Sequence, residues 1–325
     1  MQMTLKRVDW EYASVFRIAY KTQTHARTVV VELEDGGHVG RGEALGVSYH
    51  GETADTLLEQ LQALSGELRN GLTRQDLQSL LPPGGARQAI DCALWDLEAK
   101  RSGRRAWQLA GIETVRPLVT ALTLGLDTPE VMGTTAAARP RCPVLKLKLD
   151  GTCDLERVQE VRRRRPDATL VVDANQAWRE EQLHDLVPRF AALGVRLIEQ
   201  PLPAGQDDAL LHYESAVPLC ADESCQSTES LPGLLNKYQY VNIKLDKSGG
   251  LTEGLRLARA ASAQGYKLMV GCMGGSSLSM AHGFVVGQLC DVIDLDGPLL
   301  LKADIDAAIV YDGGRMSVPE ARLWG

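Results

Sequence analysis

The chain of 325 residues is 44% hydrophobic and 24% charged with a net charge of −7, the profile of a soluble folded protein long enough for more than one domain. That acidic balance, with a pI near 5.5, excludes a broad electrostatic surface for nucleic acid or anionic membrane, though not a local cationic pocket. No segment approaches the ~18 apolar residues of a spanning helix, the opening MQMTLKRVDWEY lacks the apolar centre of a signal peptide, and the seven cysteines form no CxxC; a cytoplasmic protein with free thiols is expected.

The first third alternates strand and helix signals. RTVVVELE and HVGRGEAL flank DGG, which predicts a hairpin over 27–45. Helical patterns follow at 52–66, at 73–81 behind Thr73, and at 86–103, where Ile90, Ala93, Leu94 and Leu97 recur at helical spacing before Gly103. From about residue 117 the grammar becomes repetitive. Short apolar runs at 118–124, 144–149, 169–174, 195–199, 217–221, 240–245, 267–271 and 291–296 start 22–27 residues apart, with helical patterns in most gaps. Eight such units predict a parallel barrel. No ordinary helix follows the eighth run, and AAIVYDGGRMSV predicts a terminal hairpin returning to the first domain. The expected architecture is α/β: an α+β capping domain over 1–115, joined by about 303–325, on a (β/α)7β modified TIM barrel over 116–302.

Ionisable residues fall at the strand ends. Asp173 ends ATLVVDAN, Glu199 ends VRLIEQP, Asp222 ends VPLCADES, Lys148 ends VLKLK, Lys244 lies late in YVNIKLD, and Asp294 and Asp296 end DVIDLDG. The carboxyl ends of barrel strands converge on one mouth, so these sequence-distant groups are expected to be neighbours. Any one acid could instead begin a loop or cap a helix. Three in register on strands three, four and five favour a hard divalent cation, and all-oxygen ligation suits magnesium better than zinc. Strands two and six lie across the barrel from each other, so Lys148 and Lys244 should face one another over that cation. Lys146, two residues before Lys148, shares its face. A solvated lysine pair explains KLK alone; beside the carboxylates, desolvation, Lys146 and the metal would lower a lysine pKa toward that of a base.

Together, KLK, VVDANQAW, IEQPLPA, CADES, VNIKLDKSGG, GCM and ARQAIDCALWDLEAK resemble the muconate-lactonizing subgroup of the enolase superfamily, over nearly the whole chain. They are most similar to its dipeptide epimerases, of the L-Ala-D/L-Glu epimerase type. The resemblance implies one Mg2+ on Asp173, Glu199 and Asp222, Lys148 and Lys244 as the acid/base pair, and Lys146 as an auxiliary. It implies proton transfer at the carbon beside a carboxylate, through an enediolate, with Lys148 serving the L configuration and Lys244 the D. It further assigns Asp294 and Asp296 to the free α-ammonium of a dipeptide, and Lys21 to the position where relatives carry a side-chain-reading arginine. His25 and Arg27 are alternatives to Lys21.

Two cap segments, 20–27 and 46–53, are expected to close over the mouth as loops. The basic run VRRRRPDA at 161–168 is expected to be a solvated helix end, GCMGGSSLSM a turn lining the pocket, and His212 and His282 surface or core residues. The substrate partner is a small molecule, a dipeptide, with neither nucleic acid nor membrane involved; a homo-oligomer is left open. Rival functions are o-succinylbenzoate synthesis, N-acylamino acid racemisation or muconate cycloisomerisation on the same machinery. More distant are a Schiff-base lyase and a non-catalytic binding protein.

Overall fold

The computed structural model describes residues 1–69 and 71–325. The cap is built on an antiparallel sheet of β1 (Gln2–Ile18), β2 (Lys21–Asp35) and β3 (His38–Ala44). Asp35 pairs with His38 across Gly36 and Gly37, whose φ of 59° and 81° suit glycine in a two-residue hairpin. Strand β1 and the first residues of β2 lie outside the hairpin that the sequence pattern predicts over 27–45. β1 is an outer strand whose residues are mostly exposed or half-buried, so apolar and charged residues mix along it and the period-two signal is weak. Residues 20–27 are therefore a hairpin tip and the start of β2, not a loop. The ladder breaks between Glu11 and Phe16, leaving Tyr12 to Val15 out of register.

Helices at Ala54–Ala63 and Arg74–Leu80 each open on a threonine cap, Thr53 and Thr73, whose side chain accepts a backbone N–H. The helix Gly85–Ser102 packs tightly on β3. A Cβ on Gly40 would sit 2.2 Å from the Ala93 carbonyl oxygen, and one on Gly42 would sit 2.0 Å from that of Ala89, so backbone meets backbone there.

The chain then makes β4 (Leu118–Val119) and the eight barrel strands β5 (Leu122–Leu124), β6 (Val144–Lys148), β7 (Thr169–Asp173), β8 (Val195–Glu199), β9 (Leu219–Ala221), β10 (Tyr240–Lys244), β11 (Lys267–Gly271) and β12 (Val292–Ile293). Neighbours in sequence are neighbours in the sheet, and each pairs with the next in parallel. The Ala121 N–H donates to the Ile293 carbonyl at 2.8 Å, drawing the two ends of the sheet together. Alternation gives each strand an outer face on the helices and an inner face. Val171, Leu197, Cys220, Tyr240 and Met269 form an inner apolar layer, and two residues further along three of these strands stand Asp173, Glu199 and Asp222. After β12 comes only the short turn Gly297–Leu300, as the missing eighth helix predicts.

The terminal hairpin, β13 (Tyr311–Asp312) and β14 (Arg315–Met316), pairs with β4 rather than with the cap sheet. The tail beyond it reaches the cap: Trp324 Nε1 donates to Cys92 O at 3.1 Å and Gly325 N to Asp96 Oδ1 at 2.7 Å. The larger junction lies just past β10. Arg87 donates to the carbonyls of Ser248 and Gly249, Asp91 accepts from Thr252, and Asp246 Oδ1 accepts the Leu45 and Gly46 amides at 2.9 and 2.7 Å. Side chains on Gly249 and Gly250 would collide with Arg87 and Asp91. Among the described residues no helix is long and apolar enough to cross a membrane, and all seven cysteines are free thiols.

Candidate active site

The mouth of the barrel holds a buried cluster of opposite charges. Asp173, Glu199 and Asp222 each offer an oxygen within 4.8 Å of the other two. Lys148 Nζ lies 2.6 Å from Asp173 Oδ2, and Lys244 Nζ lies 2.5 Å from Asp222 Oδ2. The two lysines thus reach the cluster from β6 and β10, on different sides. Lys146 Nζ is 2.6 Å from Glu199 Oε2, 2.7 Å from Asp294 Oδ2 and 3.3 Å from Asp173 Oδ2. Its alternation partner Lys148 is equally inward, because Leu145 and Leu147 take the helix-facing side.

Two groups at the cluster were not singled out from sequence. Lys247 donates to Asp222 Oδ1 at 2.6 Å, to the Asp222 carbonyl, and to Asn242 O at 3.1 Å. Asn242 Nδ2 donates to Glu199 Oε1 at 2.8 Å. Asn242 lies two residues before Lys244 on the same strand face, so the parity that paired Lys146 with Lys148 also marks it. Lys247 lies on the single helical turn Leu245–Ser248, three residues past Lys244.

Backbone strain accompanies the ligand positions. Asn175 and Gln176, two and three residues past Asp173, and Gln200, directly after Glu199, have φ of 45°, 68° and 35°. They are held there by specific bonds: the Asn175 amide donates to Asp173 Oδ1 at 2.9 Å, and Gln200 Oε1 accepts the Asp222 and Ser224 amides.

The electrostatics follow from burial and neighbours. Burial pushes Asp173 and Asp222 up, but Lys148 and Lys146 beside the first, and Lys244 and Lys247 beside the second, hold both below the usual range. Glu199, buried and facing Asp173, is pushed up to about 7. Burial pulls Lys146 and Lys244 down, yet the surrounding carboxylates outweigh it and hold both well above an ordinary lysine. The lowering expected of a base is thus not a property of Lys244 while these carboxylates face it unshared. Glu199 Oε2 accepts no hydrogen bond, its contact with Lys146 being an ion pair. Three buried carboxylates whose oxygens converge within 4.8 Å of one another fit a hard cation with oxygen preference.

The fold and this cluster are those of a known family. Residues 1–111 match "Mandelate racemase / muconate lactonizing enzyme, N-terminal domain" and residues 132–322 match "Enolase C-terminal domain-like". The chain belongs to the mandelate racemase/muconate lactonizing family of the enolase superfamily. The enzyme is 42% identical over 309 residues to the L-Ala-D/L-Glu epimerase of Escherichia coli (strain K12), covering 94% of this chain and 96% of that one. It is 40% identical over 300 residues to the N-acetyl-D-glutamate racemase of Pseudoalteromonas sp., covering 91% and 95%. Among solved structures, an enolase family member from Agrobacterium tumefaciens superposes with a TM-score of 0.97 at 42% identity, covering 99% of both chains. That protein has homology to dipeptide epimerases and holds sodium and L-Ala-L-Glu with an ordered loop. The enzyme is accordingly an isomerase of the epimerase and racemase kind.

In this isomerase the cap closes one side of the mouth. Tyr12, Phe16, Tyr20, Lys21, Leu45, Gly46, Ser48 and Tyr49 line the same cavity as Lys148, Lys244, Asp294 and Asp296. Lys21 has no carboxylate partner among the described residues, and burial and the Arg27 charge pull it below the usual lysine range. His25 and Arg27 line an adjoining hollow together with Lys21 and do not reach the central cavity. Glu223, missed from sequence although it adjoins Asp222, also lines the cavity; burial and Asp222 push it up to about 8. Cys272 and Met273 of GCM line the pocket as expected. His282 is a core residue packed edge-on against Trp324, and burial pulls it down to about 3. The basic run ends the helix Asp154–Arg164, where Arg163 and Arg164 pair with Glu160, but Arg162 and Arg165 are spent on loop carbonyls rather than solvated.

Proposed function

We propose that the enzyme is a magnesium-dependent dipeptide epimerase that inverts the Cα of the second residue by two-base 1,1-proton transfer, with L-Ala-D/L-Glu from peptidoglycan turnover as its substrate. The observation that carries this reading is the placing of Lys148 and Lys244 at separate carboxylates, Asp173 and Asp222, on different sides of one cluster. Asp173, Glu199 and Asp222 would hold one Mg2+, which supplies the positive charge that stabilises the enediolate formed when the Cα proton leaves. One lysine takes the proton from one face and the other returns a proton from the opposite face, with Lys148 serving the L epimer and Lys244 the D. Each acts as a base only when the charge of its carboxylate neighbour is taken up elsewhere, as ligation does. Lys146 is auxiliary, balancing carboxylate charge. Asp294 and Asp296 receive the α-ammonium of the first residue, and Lys21 the acidic side chain of the second.

The rival with support of its own is racemisation of an N-acylated amino acid, the reaction named for the Pseudoalteromonas relative. Against it stand the buried Asp294 and Asp296, which an acyl group gives no positive charge to meet. Free thiols throughout fit a reducing compartment, and we place the enzyme in the cytoplasm. The test is proton NMR of L-Ala-L-Glu in D2O with enzyme and magnesium. The second-residue Cα signal should vanish and the L-Ala-D-Glu diastereomer appear, both stopped by EDTA. No exchange at the second-residue Cα of this or any other dipeptide tried would overturn the reading.

A further inference from the structure

Beside the central cavity lies a larger hollow in the cap, with a volume of about 370 Å³ against about 90 Å³. One wall is the first half of β2, where Lys21, Gln23, His25 and Arg27 alternate onto one face. Further along that face, Val29, Val31 and Leu33 are buried with Leu57 and Leu61 of the helix Ala54–Ala63. The cations ahead of Val29 lack that cover and are half-buried or exposed. Thr53 and Ala54, the N-terminal end of the same helix, form another wall, and such an end favours an anion. Among the described residues, no carboxylate pairs with Lys21, His25 or Arg27. Glu11, across the ladder from His25, is paired with Lys302, and Asp9, across from Arg27, lies 3.6 Å from Arg7. Asp55 is held by Arg7 at 2.9 Å. Glu52, the acid in the lining, gives its oxygens to the Val47 and Gly85 amides. Lys21 feels the crowding, since burial and the Arg27 charge pull it below the usual lysine range.

The hollow and the central cavity share Lys21, Gln23, Leu45, Gly46 and Ser48, so one opens off the other. A dipeptide bound as proposed above spends its α-carboxylate at the acid cluster and its ammonium at Asp294 and Asp296. Only the side chain of its second residue is left to run toward Lys21. A glutamate carboxylate that meets Lys21 leaves His25 and Arg27 without an anion. These stand four and six residues on, roughly 13 and 20 Å along the strand, and line the hollow alone. We propose that the hollow is a second anion subsite, which takes a carboxylate of a further amino acid amide-linked to the side chain of the second residue. Resting on the dipeptide reading, this widens the substrate class to side-chain-extended peptides whose α-carboxylate is free. Lys21 then donates to the linking amide carbonyl, and Arg27 and His25 meet the distal carboxylate.

The probes are L-Ala-L-Glu and two derivatives with an amino acid amide-linked to its glutamate side chain. One derivative carries L-Glu there, and the other carries uncharged L-glutamine amide of the same size. Exchange of the second-residue Cα proton is followed by NMR in D2O with magnesium. The proteins are wild type and the double variant Arg27→Gln, His25→Gln, with folding checked by circular dichroism. Wild type should exchange both derivatives, with KM for the charged one roughly 10-fold or more below that for the neutral one. The double variant should raise KM for the charged derivative to that of the neutral one at unchanged kcat, and leave L-Ala-L-Glu near wild type. Wild type that exchanges L-Ala-L-Glu but not the charged derivative, or equal KM for the two derivatives, would overturn the subsite alone. That comparison needs no variant to fold. A double variant that weakens L-Ala-L-Glu as much as the charged derivative would overturn it too. Exchange in none of the three compounds, nor in any other dipeptide tried, would overturn the dipeptide reading and the subsite with it.

Discussion

Lys146 and Lys148 stand two residues apart on one strand face and have different neighbours. Lys148 meets one carboxylate, Asp173, whereas Lys146 is ringed by Asp294, Glu199 and Asp173 and has no freedom to approach a substrate. The parity of KLK was legible because only period-two alternation lets both lysines face inward while Leu145 and Leu147 pack outward. The division between them was not, because it depends on Asp294, almost half the chain away. Lys21 carries the prediction on specificity. It is half-buried, free of any carboxylate among the described residues, and faces the mouth. Lys21→Ala should raise KM for L-Ala-L-Glu roughly 10-fold or more while changing little for a dipeptide with a neutral second residue. Equal effects on both substrates would remove Lys21 from side-chain recognition.

At the scale of elements, the repeated β/α unit was readable from its spacing, and each ligand from its place at the end of an apolar run. What escaped was structure with weak local signal. β1 has no sustained buried face, and the turn carrying Lys247 is only four residues long. The tight seat of β3 on the helix Gly85–Ser102 is a further case, since nothing in HVGRGEA alone says that a backbone lies against its glycines. Gly42 has no space for a methyl group, with the Ala89 carbonyl oxygen 2.0 Å from where it would be. Gly42→Ala should therefore destabilise the fold by about 1–3 kcal/mol in urea unfolding, as overpacking does. An unchanged midpoint would mean that the cap sheet shifts freely on its helix.

The whole molecule joins cap and barrel just after Lys244, where Asp246 holds the Leu45 and Gly46 amides and the cap helix grips residues 248–252. The cap segment that lines the mouth is thus fastened to the strand that carries a proposed base. Burial and the nearby Glu52 and Glu43 push Asp246 up to about 7. The folded protein then keeps a proton that the unfolded chain releases near pH 4, so this group's contribution to stability is full at low pH and is lost as pH rises toward 7. Asp246→Asn, which can still accept both amides, should lose less stability than wild type between pH 5 and 7. The difference is up to about 1.4 kcal/mol per pH unit, read by urea unfolding at each pH with magnesium held constant. Parallel stability curves for the two proteins would contradict the assignment.

The central claim is that two lysines serve the two faces of one Cα, and stereospecific exchange tests it most directly. L-Ala-L-Glu and L-Ala-D-Glu are each incubated in D2O with magnesium and with wild type, Lys148→Ala or Lys244→Ala, and the second-residue Cα proton is followed by NMR. Epimerisation should fall roughly 10²- to 10⁴-fold in both variants. Lys244→Ala should still exchange the L epimer alone, and Lys148→Ala the D epimer alone. Interconversion of the epimers at the wild-type rate by either variant would contradict the account.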